Sequence, residues 1–229
     1  MKNIKLSTVN VDDRVREAVN ESMLIYCNKL ARGKICVGLE ATFQHELALI
    51  LKDVLEQKTL INDERFSLTL EQNIPINGRN NYVDIVIHYD FNSMRTEYLI
   101  ELKFKKITDS APDLGVVETY FDLYNLDSLH NGSFNTGNIR NCYVIFLTDL
   151  KTYSNAPRGT GTRFELPMHD GAKIQSGSTY MASGKTAKNT IIKQFGSSFA
   201  GFKFTKDLIF NYCHFNVKQS DYWFFIEEI

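Results

Sequence analysis

The sequence is short of the residues that mark several common protein classes. Its four cysteines, Cys27, Cys36, Cys142 and Cys213, lie far apart with no CxxC pair, which excludes a zinc knuckle and a dithiol redox motif and leaves reduced thiols as the expectation. No window approaches the roughly 18 to 20 uninterrupted apolar residues of a membrane span. The opening MKNIKLSTVNVDDR lacks the apolar middle of a secretory signal. A cytoplasmic location with no membrane partner is therefore expected. Net charge is scarce too: 26 Lys and Arg against 27 Asp and Glu leave −1, which disfavours attraction to a polyanion through bulk charge. Internal repeats and sharply marked linkers are absent.

What is present suits a folded chain. The 229 residues are 43% hydrophobic and 23% charged, enough for one hydrophobic core with embellishments and far from the composition of disorder. The positive charge is unevenly spread: Lys173, Lys185, Lys188, Lys193, Lys203 and Lys206 follow one another with only Asp207 close by. That tract suits a basic face or an ordinary solvated surface equally well.

Apolar periodicity sets the element order. Val15, Val19, Met23, Tyr26, Cys27 and Leu30 recur at spacings of three and four, predicting a helix from Val11 to about Leu30 with Asp12 and Asp13 near its N-terminus. A second helix is expected from about Leu39 to Gln57, with Phe43, Leu47, Ile50, Leu51, Val54 and Leu55 on one face. From Phe66 the pattern becomes extended. FSLTLEQNIPI, NYVDIVIHY and TEYLIELKF, separated by NGRNN and DFNSM, read as a three-stranded meander. Pro112-Asp113 opens a third helix reaching about Leu129, HNGSFNTGN is a loop, and NCYVIFLTDL is a buried strand. The stretch from Tyr153 to Ser183, rich in Gly, Ser and Thr, is expected to be loop, followed by a short helix from Lys185 to Phe195. FKFTKDLIFNYCHFNV and DYWFFIEEI are strands, or one helix and one strand.

Chemistry is concentrated in the meander. In the second strand Val83, Ile85 and Ile87 alternate with Asp84, Val86 and His88; in the third, Leu99, Glu101 and Lys103 share one side and Ile100, Leu102 and Phe104 the other. Two strand-borne carboxylates supply hard oxygen ligands suited to Mg²⁺ or Mn²⁺ and not to zinc. A lysine two residues beyond the second acid stands on the same face, where an ammonium can hold water or offset charge growing on a phosphate. VDIVI followed by YLIELKFKK resembles the core motif of the PD-(D/E)XK, or restriction-endonuclease-like, nuclease superfamily, over about residues 38 to 150. The family's proline before the first acid is here Val83. The resemblance implies an α/β fold with a core of helix, three-stranded meander, helix and strand. It also implies an acid on the first core helix that points at the metal, and Glu46 in TFQHELA fits this better than Glu40 at the helix start.

The expectations that follow are specific. Asp84, Glu101 and the Leu102 carbonyl would ligate Mg²⁺, with Mn²⁺ able to substitute; Glu46 would bind a second ion or a metal-bound water, and Lys103 would orient or deprotonate the nucleophile. The whole chain, 1–229, is expected to be one nuclease domain, with a helical segment at 1–37, a catalytic core at 38–150 and a C-terminal extension at 151–229 suited to substrate recognition. Double-stranded DNA is the expected partner, with a homodimer suited to cutting both strands. A type II restriction or related defence nuclease leads; a structure-specific repair or recombination nuclease, and a non-catalytic nucleic-acid-binding module with the same fold, are the alternatives. Lys105 and Lys106 suit solvated strand-end lysines or phosphate contacts. Tyr120 and Tyr124 are expected in the core, His45 and His88 as structural histidines, and Tyr222, Trp223, Phe224 and Phe225 in a buried strand. Ser183-Gly184-Lys185-Thr186 resembles a phosphate-binding loop only superficially, since Thr179 stands where the earlier glycine is required.

Overall fold

In the computed structural model, which describes residues 10–76, 78–109, 111–132, 138–218 and 220–229, the first apolar stripe becomes helix α1, Val11–Ala31. The opening MKNIKLSTV, Asn77 of the NGRNN turn and residues 133–137 of the loop after the third helix lie outside the described residues. Asn10 caps α1 by accepting the Asp12 N–H at 3.0 Å, and Asp12 and Asp13 complement the positive end of the helix. Helix α2, Glu40–Gln57, buries Phe43, Leu47, Ile50, Leu51, Val54 and Leu55 as its spacing demands. Tyr26 and Phe43 join the two helices, with ring centroids 4.9 Å apart. Each such side chain withdrawn from water contributes roughly 1.5–3 kcal/mol before its entropy cost.

The extended segments form β1, Arg65–Asn73, β2, Tyr82–Phe91, and β3, Met94–Lys105. They pair antiparallel, with Leu70 opposite Ile85 and Ile85 opposite Ile100. Strand β1 stops three residues short of the expected end because Pro75 has no N–H to give a ladder; Ile76 makes only an isolated bridge to Arg79. Asn92 and Ser93, at φ 50° and 63°, form the tight two-residue turn that brings Phe91 opposite Met94. Both faces of β2 are buried: Ile85 and Ile87 on one, Val86 and His88 on the other.

The chain divides into two compact units: the described residues of Met1–Ile100 with Thr136–Asn141, and those of Glu101–Asn135 with Cys142–Ile229. The division falls within β3. Helix α3, Pro112–Asn131, and strand β4, Ile139–Thr148, follow as expected. Gly115 lets α3 approach Tyr153, whose hydroxyl oxygen lies 2.2 Å from where a Cβ would stand.

The extension is more ordered than its composition suggests. It holds the single-turn α4, Thr162–Glu165, then β5, Lys173–Ile174, and α5, Lys185–Phe195, then β6, Leu208–Ile209, β7, Cys213–Val217, and β8, Ser220–Glu228. The tail therefore takes the all-strand alternative. Within the second unit β4 pairs antiparallel with β8 and β8 with β7, and β5 pairs with β6. Phe146 and Phe225, opposite one another across β4 and β8, stack at 5.3 Å. Tyr120, Phe121 and Tyr124 on α3 close around Phe202; Tyr120 is fully buried, as expected of a core residue, whereas Tyr124 is half-buried. Trp223 is half-buried, unlike the fully enclosed Phe225; its ring lies against that of the exposed His214, its partner on β7. The chain is thus mixed α/β, with five helices and eight strands among the described residues. No described helix is long and apolar enough to cross a membrane.

Candidate metal centre and the lysines beside it

In the first unit, Glu46 stands half-buried on α2 and Asp84 half-buried on β2. Two residues before Glu46, Gln44 is buried and its amide makes a fork: Nε2 donates to the Asp84 carbonyl oxygen at 2.8 Å and to Glu71 Oε1 at 2.8 Å. Gln44 therefore ties α2 to the backbone of the Asp84 position. Glu71 carries φ 52°, a left-handed backbone between the paired residues Leu70 and Gln72. A non-glycine residue accepts that conformation only when its surroundings fix it, and the Gln44 bond is one such restraint. Neither Gln44 nor Glu71 was anticipated, since nothing in the apolar periodicity reports a bond between a helix and a neighbouring strand.

In the second unit, Glu101 is buried at 7% exposure and Leu102 fully buried, whereas Lys103 is half-buried. The Lys103 ammonium lies 3.2 Å from Asp122 Oδ2 on α3, with both side chains largely enclosed. Lys105 repeats the arrangement with Glu118 Oε2 at 2.5 Å. The repetition follows from geometry: two residues along a strand advance ~6.6 Å and four along a helix ~6 Å, so lysines spaced by two match acids spaced by four. The spacing of Glu118 and Asp122 along α3 thus complements that of Lys103 and Lys105 along β3. Lys105 is thus an ion-paired lysine on the strand.

The remaining sequence candidates sort clearly. His88 is buried, 3.0 Å from Thr69 Oγ1 and 3.2 Å from Glu97 Oε1, the environment of a structural histidine. His45 is exposed. All six lysines of the Lys173–Lys206 tract are exposed. Among the described residues, no group of three or more His, Cys, Asp and Glu side chains is gathered so as to hold a metal ion. Comparison with protein-family models, with curated proteins and with solved structures found no match.

Proposed function

We propose that the chain is a magnesium-dependent endonuclease that hydrolyses DNA phosphodiester bonds, with Asp84, Glu101 and the Leu102 carbonyl as metal ligands and Lys103 as the group that handles the nucleophile. The observation that carries this reading is the strand pair Glu101 and Lys103: a carboxylate buried at 7% exposure, followed two residues on by an enclosed ammonium. Burying a carboxylate costs several kcal/mol unless cations or hydrogen-bond donors compensate it; Glu101 already has a contact within the protein, and a metal would add to it. A solvated salt bridge on a surface strand would explain an exposed acid, not a withdrawn one. The donor set of carboxylates and a carbonyl fits Mg²⁺, with Mn²⁺ as a substitute. Two carboxylates and a carbonyl suffice for the minimal site, and Glu46 would then act through a metal-bound water or a second ion.

When bound, the metal polarises a phosphoryl oxygen and lowers the pKa of water. The chain's own groups do the rest. Lys103, held by Asp122, presents an ammonium of fixed direction that orients the attacking water or offsets charge on the phosphate. Gln44 keeps the Asp84 backbone in register with α2 and so limits the freedom of the first ligand. Sequence discrimination would come from the segments after Leu150, and two copies of the chain would serve the two strands of a duplex. Restriction or related defence cleavage is the leading role, ahead of cleavage at branched repair or recombination intermediates.

The test is cleavage of supercoiled plasmid and of branched duplexes with Mg²⁺ or Mn²⁺, compared with EDTA. Cleavage that disappears in Asp84→Ala and Glu101→Ala supports the proposal. Absence of metal-dependent cleavage on every substrate, or cleavage that survives both substitutions, overturns it. One observation favours a second reading: Lys103 is already engaged by Asp122, as a structural ion pair in a non-catalytic nucleic-acid-binding module would be. That module would bind duplex DNA and leave it intact.

A further inference from the structure

The second unit contains a cavity of about 530 Å³ that the nuclease proposal does not use. Its wall includes the N-terminal turns of two long helices, α3 with Pro112 and Asp113, and α5 with Gly184, Lys185 and Thr186. Neither helix has a side-chain cap, since the capping positions are Ala111 and Gly184. On α5 the Lys188 N–H bonds the Gly184 carbonyl at 2.8 Å, while the N–H groups of Lys185, Thr186 and Ala187 have no partner among the described residues. The first turn of α5 contains no acid and instead carries Lys185. A cation at the positive end of a helix is unfavourable, and an anion placed there relieves both the dipole and the open N–H groups.

An independent feature points into the same space. Thr162 lines the cavity and is buried to 4% exposure, yet its hydroxyl has no hydrogen-bond partner among the described residues. A Cβ at Gly184 would meet Thr162 Oγ1 at 3.1 Å, so this hydroxyl stands at the mouth of α5 and glycine leaves room beside it. That hydroxyl faces the cavity, where a ligand oxygen would accept its hydrogen bond. Arg163 adds a second cation. Its Nη1 donates to the Thr152 carbonyl at 2.9 Å and its Nε lies 3.5 Å from Asp113 Oδ1, which fixes the guanidinium at the wall. The loop before Gly184 is fixed as well, because Glu165 Oε2 accepts the Ser183 N–H at 2.6 Å and its other oxygen accepts the Ser183 hydroxyl.

We propose that this cavity binds a phosphate monoester, with the terminal phosphate at the N-terminus of α5 among the Lys185 to Ala187 N–H groups, the Thr162 hydroxyl, Lys185 and Arg163. Several donors converging with two cations match a dianion with three free oxygens better than a carboxylate. The volume lies in the range of small-molecule sites, ~300–1,000 Å³, and exceeds what a phosphate alone fills, so the ester carries an organic group. The phosphate comes from a free nucleoside monophosphate or from the phosphorylated end of a strand.

Calorimetric titration of the full chain in EDTA tests this separately from metal-dependent cleavage. Adenosine 5′-monophosphate is compared with adenosine, and a 5′-phosphorylated dinucleotide with its 5′-hydroxyl form. The phosphorylated member of each pair binds and the other does not. Tighter binding of the dinucleotide assigns a strand end; tighter binding of the monophosphate assigns a free nucleotide. Lys185→Gln and Thr162→Val each weaken binding by about tenfold, as loss of one charge-assisted hydrogen bond requires, while Asp113→Asn strengthens it by releasing Arg163. Circular dichroism without ligand confirms that the variants are folded. Equal response to adenosine and its monophosphate, or unchanged affinity in folded Lys185→Gln and Thr162→Val, overturns the proposal.

Discussion

Arg14 and Glu64, fifty residues apart in sequence, form a two-pronged ion pair inside the first unit: Nη2 donates to Oε1 at 2.7 Å and Nη1 to Oε2 at 2.9 Å, with 6% and 5% of the two side chains exposed. Every oxygen is shared further. Tyr89 donates its hydroxyl to Oε1 at 2.8 Å, the Leu60 N–H donates to Oε2 at 2.9 Å, and Arg14 Nη1 also reaches the Lys58 carbonyl at 2.8 Å. The pair thus fastens α1 to the segment entering β1 and to β2.

Such a pair is costly to break, because removing one member leaves the other charged and dry. Arg14→Ala is expected to destabilise the first unit by about 3–5 kcal/mol, read from urea unfolding. The Arg14 guanidinium, with the Leu60 N–H and Tyr89 hydroxyl, lowers the Glu64 carboxyl from 4.5 to about 2. The unfolded carboxyl takes up its proton first as the pH falls, so the stabilisation is complete above about pH 4.5, fades below it and is gone once the pH falls through about 2. Glu64→Gln should remove that part of the acid sensitivity. A variant with the same pH profile as the parent between 5 and 2 would refute the assignment.

Glu227 carries the opposite sign. On β8 its burial outweighs the Ile209 N–H, which donates to Oε1 at 3.4 Å, and the nearby Lys206, so its carboxyl is raised from 4.5 to about 7. The folded state holds the proton across that interval and the unfolded chain does not. Stability from this group therefore falls as the pH rises from about 4.5 to 7 and stays low above it. Glu227→Gln should stabilise the protein at pH 8 by on the order of 1 kcal/mol and leave it unchanged near pH 4. Thermal unfolding at the two pH values separates this from a general packing effect, which would appear at both.

These networks mark the limit of what the sequence discloses. The stripes of α1, α2 and α3 were legible because burial along a helix imprints a spacing of three and four, and the meander because a change to alternation announces strands. The placement of Glu101 and Lys103 on one side of β3 followed from the same alternation. Arg14 was not legible: it is buried at 5% exposure beside fully buried Val15, yet as an arginine it reads as surface. Glu71 and Gln44 depend on the register of α2 against β1, and a bond between two elements has no period along either. In the extension, single anchors such as Tyr153, Leu166 and Met168 are buried from irregular backbone, so order exists there without periodicity.

The Lys103 and Asp122 pair separates catalysis from architecture. As a structural pair only, Lys103→Met and Asp122→Asn would destabilise the second unit with a coupling of about 1 kcal/mol, and the double variant would recover much of the loss. As the group that handles the nucleophile, Lys103 would have a second signature: Lys103→Met would lower kcat for Mg²⁺-dependent DNA cleavage by about 100-fold or more with KM little changed. Asp122→Asn would retain the ammonium but lose its fixed direction, so a smaller fall in kcat is expected. The double variant would then be as slow as Lys103→Met alone, since Asp122 acts on the reaction only through Lys103. Cleavage rates and unfolding free energies measured on the same four proteins decide the matter: coupling in both supports a positioning role for Asp122, and coupling in stability alone reduces Lys103 to a tie between β3 and α3.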